Sequence, residues 1–342
     1  MPMQSKTRFF LSKVLITAVV AVAFCMNLRA GDSWTKEREK AKSIVTSERL
    51  AREISFLTDS LCHGRATGTT GAFEAAMWIR RKFEKIGLIP VTDTYTSGFD
   101  IHNGIRGHNV AGMLPAAISI PCDRYVIVGA HYDHIGTLDG KMYPGADANA
   151  SGVIAMTSLA EMFSSMRKMG KIYDSNIIFV AFDANEFDMK GSEALWEMLG
   201  QGMLKNPVTG ETITTEQITL MVNIDQIGSS LSPVTKGRND YIIMLGTSSL
   251  SQDRQDLLHT CNLKEKVNME IGLDYYGSKN FTDIFYRLSD QKIFVDNNKP
   301  AVMFTSGITM NNNKTWDRTE NLNLDILKKR VYLMYHWIEK ML

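Results

Sequence analysis

Apolar residues recur along this chain in two rhythms. The first is the short, nearly unbroken run: Val126 to Val128 with Ala130, then Asn176 to Phe182, Thr219 to Ile224, Tyr241 to Leu245 and Ala301 to Thr305. Runs of about four to eight apolar residues bounded by glycine or polar residues fit strands buried on both faces. The second is the helical period. It spans residues 34–62 through Ile44, Val45, Leu50, Ile54, Leu57 and Leu61, and then Phe73 to Leu88, stopped by Gly87 with Pro90 beyond. It returns over Ser151 to Met166 (Val153, Ile154, Met156, Leu159, Ala160, Phe163), Gly191 to Leu204, Ser251 to Cys261 and Leu322 to Leu342. Residues 93–102 and 108–114 read as paired strands turned at Asn103-Gly104. Residues 229–280 are the least regular. Strands alternating with helices predict an α/β fold: three layers, α/β/α, around a central mixed, mostly parallel sheet. No internal repeat or low-complexity linker interrupts it.

The polar residues that follow the buried runs carry the chemistry. His131, Asp133 and His134 come within four positions of the first strand's end, in VIVGAHYDHIG, and Asp147 stands before the Ser151 helix. Glu186 follows the second strand in AFDANEFDMKGS, and Asp225 the third in VNIDQIG. In an open α/β sheet, ligands bind at the carboxyl ends of the strands. One acid after a strand is ordinarily a helix cap or a solvated loop residue. Several at one sheet edge repel one another unless a divalent cation lies among them.

Composition narrows the picture. The 342 residues are 44% hydrophobic and 22% charged, an ordinary globular balance. Residues 1–30 differ: Lys6, Arg8 and Lys13 precede an apolar run from Val14 to Met26, and Leu28-Arg29-Ala30 ends before Gly31. This reads as a secretory signal peptide, with an uncleaved anchor as the alternative. Phe24 before Cys25 argues against lipidation. The expected organisation is therefore a signal peptide over 1–30 and one domain over 31–342, exported to the periplasm or cell exterior, with no transmembrane segment left after cleavage. Of the 38 basic residues, Lys6, Arg8, Lys13 and Arg29 lie in the leader, against 37 acids in the chain, so the processed protein carries about −3. No basic run interleaves with aromatics, which excludes a nucleic-acid partner. Cys62, Cys122 and Cys261 lack metal-type spacing and read as small buried hydrophobes. The 20 methionines read as core filling. His63 and Arg65 read as structural, His102 and His108 as surface, and His134 as a loop residue or one behind the ligands. Tyr275, Tyr276 and Trp316 could line a pocket but more commonly pack.

The ordered motifs resemble the co-catalytic zinc aminopeptidases, a family with glutamate carboxypeptidase and the glutaminyl cyclases. LCHGRATGTTGAFEAAMWIRRKFEKIGLIP is similar to the family's opening segment, NVAGMLP to a strand before the metals, and VIVGAHYDHIG with PGADANASG to its most specific motif. NIDQIG, SDQKIF and the segment up to DRTENL follow in family order. The resemblance implies a zinc-exopeptidase-like domain. It implies His131 and Asp225 as ligands of one zinc, Asp147 as a bridge, Glu186 on a second zinc, and Asp133 orienting His131 from behind.

Departures from the family pattern bear on activity. Asn185 stands where the family has its general-base glutamate, and an amide cannot take that proton at neutral pH. With the family's late aspartate aligned on Asp317, Asn313 stands where the last histidine ligand belongs. Only Asp147 and Glu186 then remain for the second zinc. Ala148 replaces an acid after the bridge, where the family often has a cis peptide, and Gln291 replaces a histidine. The expectation is a peptide hydrolase using metal-activated water, with one zinc and a degenerate second site. Glu186 is the remaining candidate for a weak base. Two alternatives stand beside it: a catalytically inactive relative that binds a peptide or partner in the old cleft, and a cyclase-like acyltransferase.

Overall fold

The unbroken apolar runs form the buried middle of one sheet. The structure, a computed structural model, describes residues 34–116, 122–230, 238–275 and 277–342. The expected leader over 1–30 and Tyr276 lie outside the described residues. A first unit reaches Ile44 and, where described, holds one helix, α1 (34–42). The second unit, Val45–Leu342, carries the other elements.

In chain order these are α2 (Ser47–Leu57), α3 (Thr70–Ile86), β1 (Thr96–Asp100), β2 (Arg106–Leu114), β3 (Tyr125–His131), β4 (Gly136–Leu138), β5 (Lys141–Tyr143), α4 (Gly152–Lys168) and β6 (Asn176–Phe182). There follow α5 (Lys190–Gly200), β7 (Ile218–Ile224), β8 (Tyr241–Leu245), α6 (Gln252–Gln255), α7 (Leu257–Lys264) and β9 (Glu270–Gly272). The last are α8 (Lys279–Tyr286), α9 (Lys292–Asp296), β10 (Ala301–Thr305) and α10 (Leu324–Met341).

Eight strands pair in the order β1–β2–β6–β3–β7–β10–β8–β9, and β4 pairs with β5 apart from them. The centre, β6–β3–β7–β10, is parallel, while β2 joins β6 and β8 joins β10 antiparallel. Every residue of β3 and β6 is buried, as expected of strands covered on both faces. Helices α2, α3, α4 and α10 pack together over one face, with α4 against β3, β6 and β7. On the other face Leu195 and Leu199 of α5 and Phe294 of α9 meet Ile127, Ile178, Val180 and Met221. The result is the three-layer α/β/α arrangement that the alternation of elements predicts.

Where boundaries differ from the periodicity, polar caps explain it. The helical stretch over 34–62 breaks before Thr46, whose hydroxyl accepts from Arg49 N at 3.2 Å and starts α2. Helix α3 begins three residues before Phe73, because the Thr69 hydroxyl caps Ala72 N at 3.3 Å. It ends as expected at Gly87, whose φ of 88° only glycine adopts freely. The Asn103-Gly104 turn has φ of 52° and 77°, as a two-residue hairpin requires. The irregular stretch 229–280 also contains β9, a three-residue edge strand too short to show in sequence. No helix among the described residues is long and apolar enough to cross a membrane. Cys62 and Cys261 are buried and unbridged, but Cys122 is only half-buried, its thiol donating to Asp174 O at 2.8 Å. That corrects the expectation that all three cysteines are buried.

Candidate metal centre

Strand order builds the site. Strands β6 and β7 flank β3 in parallel, so His131 pairs with Phe182 and Gly129 with Asn223. The residues just past each strand therefore meet at one edge. There His131 Nε2 lies 3.4 Å from Asp225 Oδ1. Behind the ring, His131 Nδ1 lies 3.2 Å from the Asp133 carbonyl and 3.6 Å from its carboxylate. Asp133 also accepts from Asn185 N at 3.0 Å and Glu186 N at 3.1 Å. One fully buried carboxylate thus orients the imidazole and pins the turn that carries Asn185 and Glu186. Burial alone would lower the His131 pKa, but the Asp225 charge and the hydrogen bonds to Asp133 and Asp225 hold it well above its usual value. Burial would raise Asp225, but the neighbouring His131 carries it below the usual carboxylate range.

Asp147 sits in the turn Ala146–Ser151 that leads into α4. Asp147 N and Ala148 N donate to the Asp317 carboxylate at 2.8 and 3.0 Å. Asp147 Oδ1 accepts from Gly228 N at 2.7 Å and Ser151 Oγ at 3.1 Å, whereas Oδ2 is buried with no partner. Both lone pairs of Oδ1 are engaged, so Oδ2 is the oxygen left to face a cation. Burial, and then the Asp317 charge, push the Asp147 carboxyl up to about 7. The peptide bond between Ala148 and Asn149 is cis. Asn149 ties this turn to β7 through Ile224 O at 2.8 Å and Gln226 N at 3.0 Å.

Glu186 lies at the cleft surface, its side chain 37% exposed, with Oε1 3.4 Å from His134 Nδ1. His134 is buried, and neither ring nitrogen makes an aligned hydrogen bond. Asn185 Nδ2 donates to Asp290 Oδ2 at 3.1 Å. Asn313 is exposed in left-handed backbone and has no hydrogen bond or ion pair with these side chains among the described residues. Gln291 is fully buried, accepting from Asn223 Nδ2 at 2.7 Å, so it braces β7 from below. Tyr275 is buried and stacks on Phe285 at 4.5 Å, while Trp316 is exposed. Of the two histidines read as surface, His102 is exposed but His108 is half-buried in β2, its N–H donating to Asp183 Oδ2 at 2.9 Å.

Sequence reasoning missed Asp290. It lies in SDQKIF with no apolar strand ahead of it, so nothing local distinguishes it. It is wholly buried, and Oδ1 has no partner. Burial and the charges of Asp133 and Asp225 push it up to about 7, against the pull of His131 and Asn185. Asp183 is likewise pushed up to about 6 by burial and Asp133. A raised folded-state pKa means that the unfolded chain binds fewer protons between the two values. Ion-free protein is therefore expected to lose stability as pH rises from about 4 to 7. At about 1.4 kcal/mol per pH unit, the interval at Asp290 is worth at most on the order of 4 kcal/mol. Thermal melts of chelator-treated protein across this window check it. Asp290→Asn should flatten the slope, and an identical slope in that variant would contradict the assignment.

Imidazole and carboxylate are zinc ligands, and donors at about 2.0–2.2 Å from a tetrahedral ion stand about 3.3–3.6 Å apart. The His131–Asp225 pair at 3.4 Å has that spacing, and Asp147 Oδ2 is a buried oxygen lacking a partner. These residues fit a zinc ion in kind. Among the described residues, however, no three His, Cys, Asp or Glu side chains are already gathered closely enough to hold one.

Residues 109–338 match the model of Peptidase family M28. An uncharacterized Escherichia coli (strain K12) protein, YfbL, is 22% identical over 240 residues, covering 69% of this chain and 65% of that protein. The chain thus spans slightly under two thirds of that relative. The LapA aminopeptidase structure from Legionella pneumophila superposes with a TM-score of 0.64 at 18% identity, over 90% of this chain and 75% of that one. A Fimbriiglobus ruber glutaminyl cyclase does so with a TM-score of 0.66 at 16% identity, over 86% and 95%. At such identities the two structures speak for the fold.

Proposed function

Because this chain belongs to peptidase family M28, we propose that it is an exported, zinc-dependent peptide hydrolase of the aminopeptidase kind, with one principal zinc position. The observation that carries this reading is the 3.4 Å pairing of His131 Nε2 with Asp225 Oδ1, braced by Asp133. His131, Asp225 and Asp147 are the residues that would hold the ion. Bound there, zinc would polarise the scissile carbonyl and lower the pKa of a water molecule. Asp133 fixes the His131 tautomer and ring plane. Asn185, its amide committed to Asp290, takes no proton. Glu186, half-exposed on the neighbouring turn, is the carboxylate left to accept one while it holds no ion of its own. Export rests on the charged-then-apolar pattern of residues 1–30.

A second reading is favoured by that same Asn185–Asp290 bond. The amide is built into the site, as in a relative that has given up hydrolysis and keeps the cleft for binding a peptide. Metal content by mass spectrometry, beside turnover of aminoacyl-nitroanilides, separates the two. Bound zinc with chelator-sensitive turnover supports the hydrolase. Bound zinc with no turnover favours the binding protein, and no affinity for zinc ends the metal-dependent reading.

A further inference from the structure

His134 has an unusual position for a histidine. It is 1% exposed, yet both ring nitrogens lack a hydrogen-bond partner. A buried polar group left so costs about 1–3 kcal/mol unless something else satisfies it. The ring is not there by accident of packing. His134 N donates to Arg65 O at 3.2 Å, and the ring lies flush on Gly145, where a Cβ would come within 2.5 Å of its Cδ2. Gly145 stands two residues before Asp147, whose Oδ2 is the other buried donor without a partner. On the cleft side, Glu186 Oε1 is 3.4 Å from His134 Nδ1, again the edge of a tetrahedral zinc shell.

We infer that His134 and Glu186 grip a second divalent cation, the His134 imidazole standing in for the histidine this chain lacks at Asn313. The inference rests on the metal-dependent reading above. Asn313 is exposed and makes no hydrogen bond with these groups among the described residues, whereas His134 has a ring nitrogen without a hydrogen bond beside the Glu186 carboxylate. The long, half-exposed Glu186 side chain can adjust to the ion, and Asp147, two residues past the ring's seat at Gly145, has a buried Oδ2 without a partner. The His131–Asp225 pair makes its contacts with Asp133 and has no hydrogen bond or ion pair to His134 among the described residues.

The test strips purified protein with a chelator and titrates it with Zn2+. Ions per chain are counted by mass spectrometry and affinities measured by calorimetry, with circular dichroism as the check on folding. Two ions are expected for the unaltered chain. His134→Ala should retain one and bind the other more weakly by over ~100-fold, beyond the ~10–100-fold that losing a supporting partner costs. Glu186→Gln, at a half-exposed position that does not threaten the fold, should lose the same ion. His131→Ala should lose the other one. Two ions persisting in both His134→Ala and Glu186→Gln would overturn the inference. So would a single ion in the unaltered chain that only His131→Ala removes, an outcome that leaves the metallopeptidase reading standing. No ion in the unaltered chain would reject both.

Discussion

Changing Asn185→Glu should raise aminoacyl-nitroanilide hydrolysis by about 10²–10⁴ at neutral pH, the usual worth of a positioned general base. The structure supplies the reason as well as the residue. Asn185 Nδ2 donates to Asp290 Oδ2 at 3.1 Å, and Asp290 is buried and already pushed up to about 7. A glutamate there would face a carboxyl within hydrogen-bond reach. Two carboxyls so close share one proton, which moves their pKa values apart. The glutamate is then poised to take a proton near neutral pH. Asn185→Asp, one methylene shorter, should gain much less. Steady-state kinetics on zinc-loaded protein decides the matter: an unchanged rate in the glutamate variant, with metal bound, would show that the amide at 185 does not limit catalysis.

Replacing Arg65 by methionine should cost at least about 3–5 kcal/mol of stability, as removing one partner of a buried charge network does. Arg65 is wholly buried and donates to four carbonyls: Leu57 at 2.6 Å, Tyr132 at 2.7 Å, Pro144 at 2.7 Å and Gly145 at 2.9 Å. Burial lowers its pKa only to about 10, so it stays charged at neutral pH. Those carbonyls belong to the end of α2, the loop after His131 and the segment before Asp147. A methionine fills much of the volume but strips the Leu57, Tyr132 and Pro144 carbonyls of this donor, at about 1–3 kcal/mol each, while Gly145 O keeps Ala150 N at 3.2 Å. Lysine has the charge without the planar fork, so Arg65→Lys should fall between. Arg80→Met, at a half-exposed helix position, serves as the control and should change little. Denaturant midpoints measure the loss, and zinc affinity should drop with it because the loops carrying His131 and Asp147 lose their common anchor. Arg330 plays a parallel part for Asp225, joining α10 to Ile227 O, Ser229 O and Tyr241 O, each at 2.7 Å.

The sequence by itself determined the central strands almost to the residue. Strands buried on both faces must be continuously apolar, and that need is written locally. It also placed His131, Glu186 and Asp225 at one edge, because a residue just past a parallel strand can only be there. It identified Asp133 as the support behind His131 through the family resemblance of VIVGAHYDHIG and not through strand position. What it did not contain is which polar groups meet. Asn185 finds Asp290 across 105 positions, and Asp147 finds Asp317 across 170. Such pairs have no period, so nothing in the neighbouring residues announces them. The same holds for absence of a partner: that Asp147 spends one oxygen on Gly228 and Ser151, and that His134 is buried with both nitrogens idle, are facts about what surrounds them in space. Apolar patterning decides where the backbone goes. Only the packed structure decides which donors and acceptors are left over at the end, and in this chain those leftovers mark the candidate metal site.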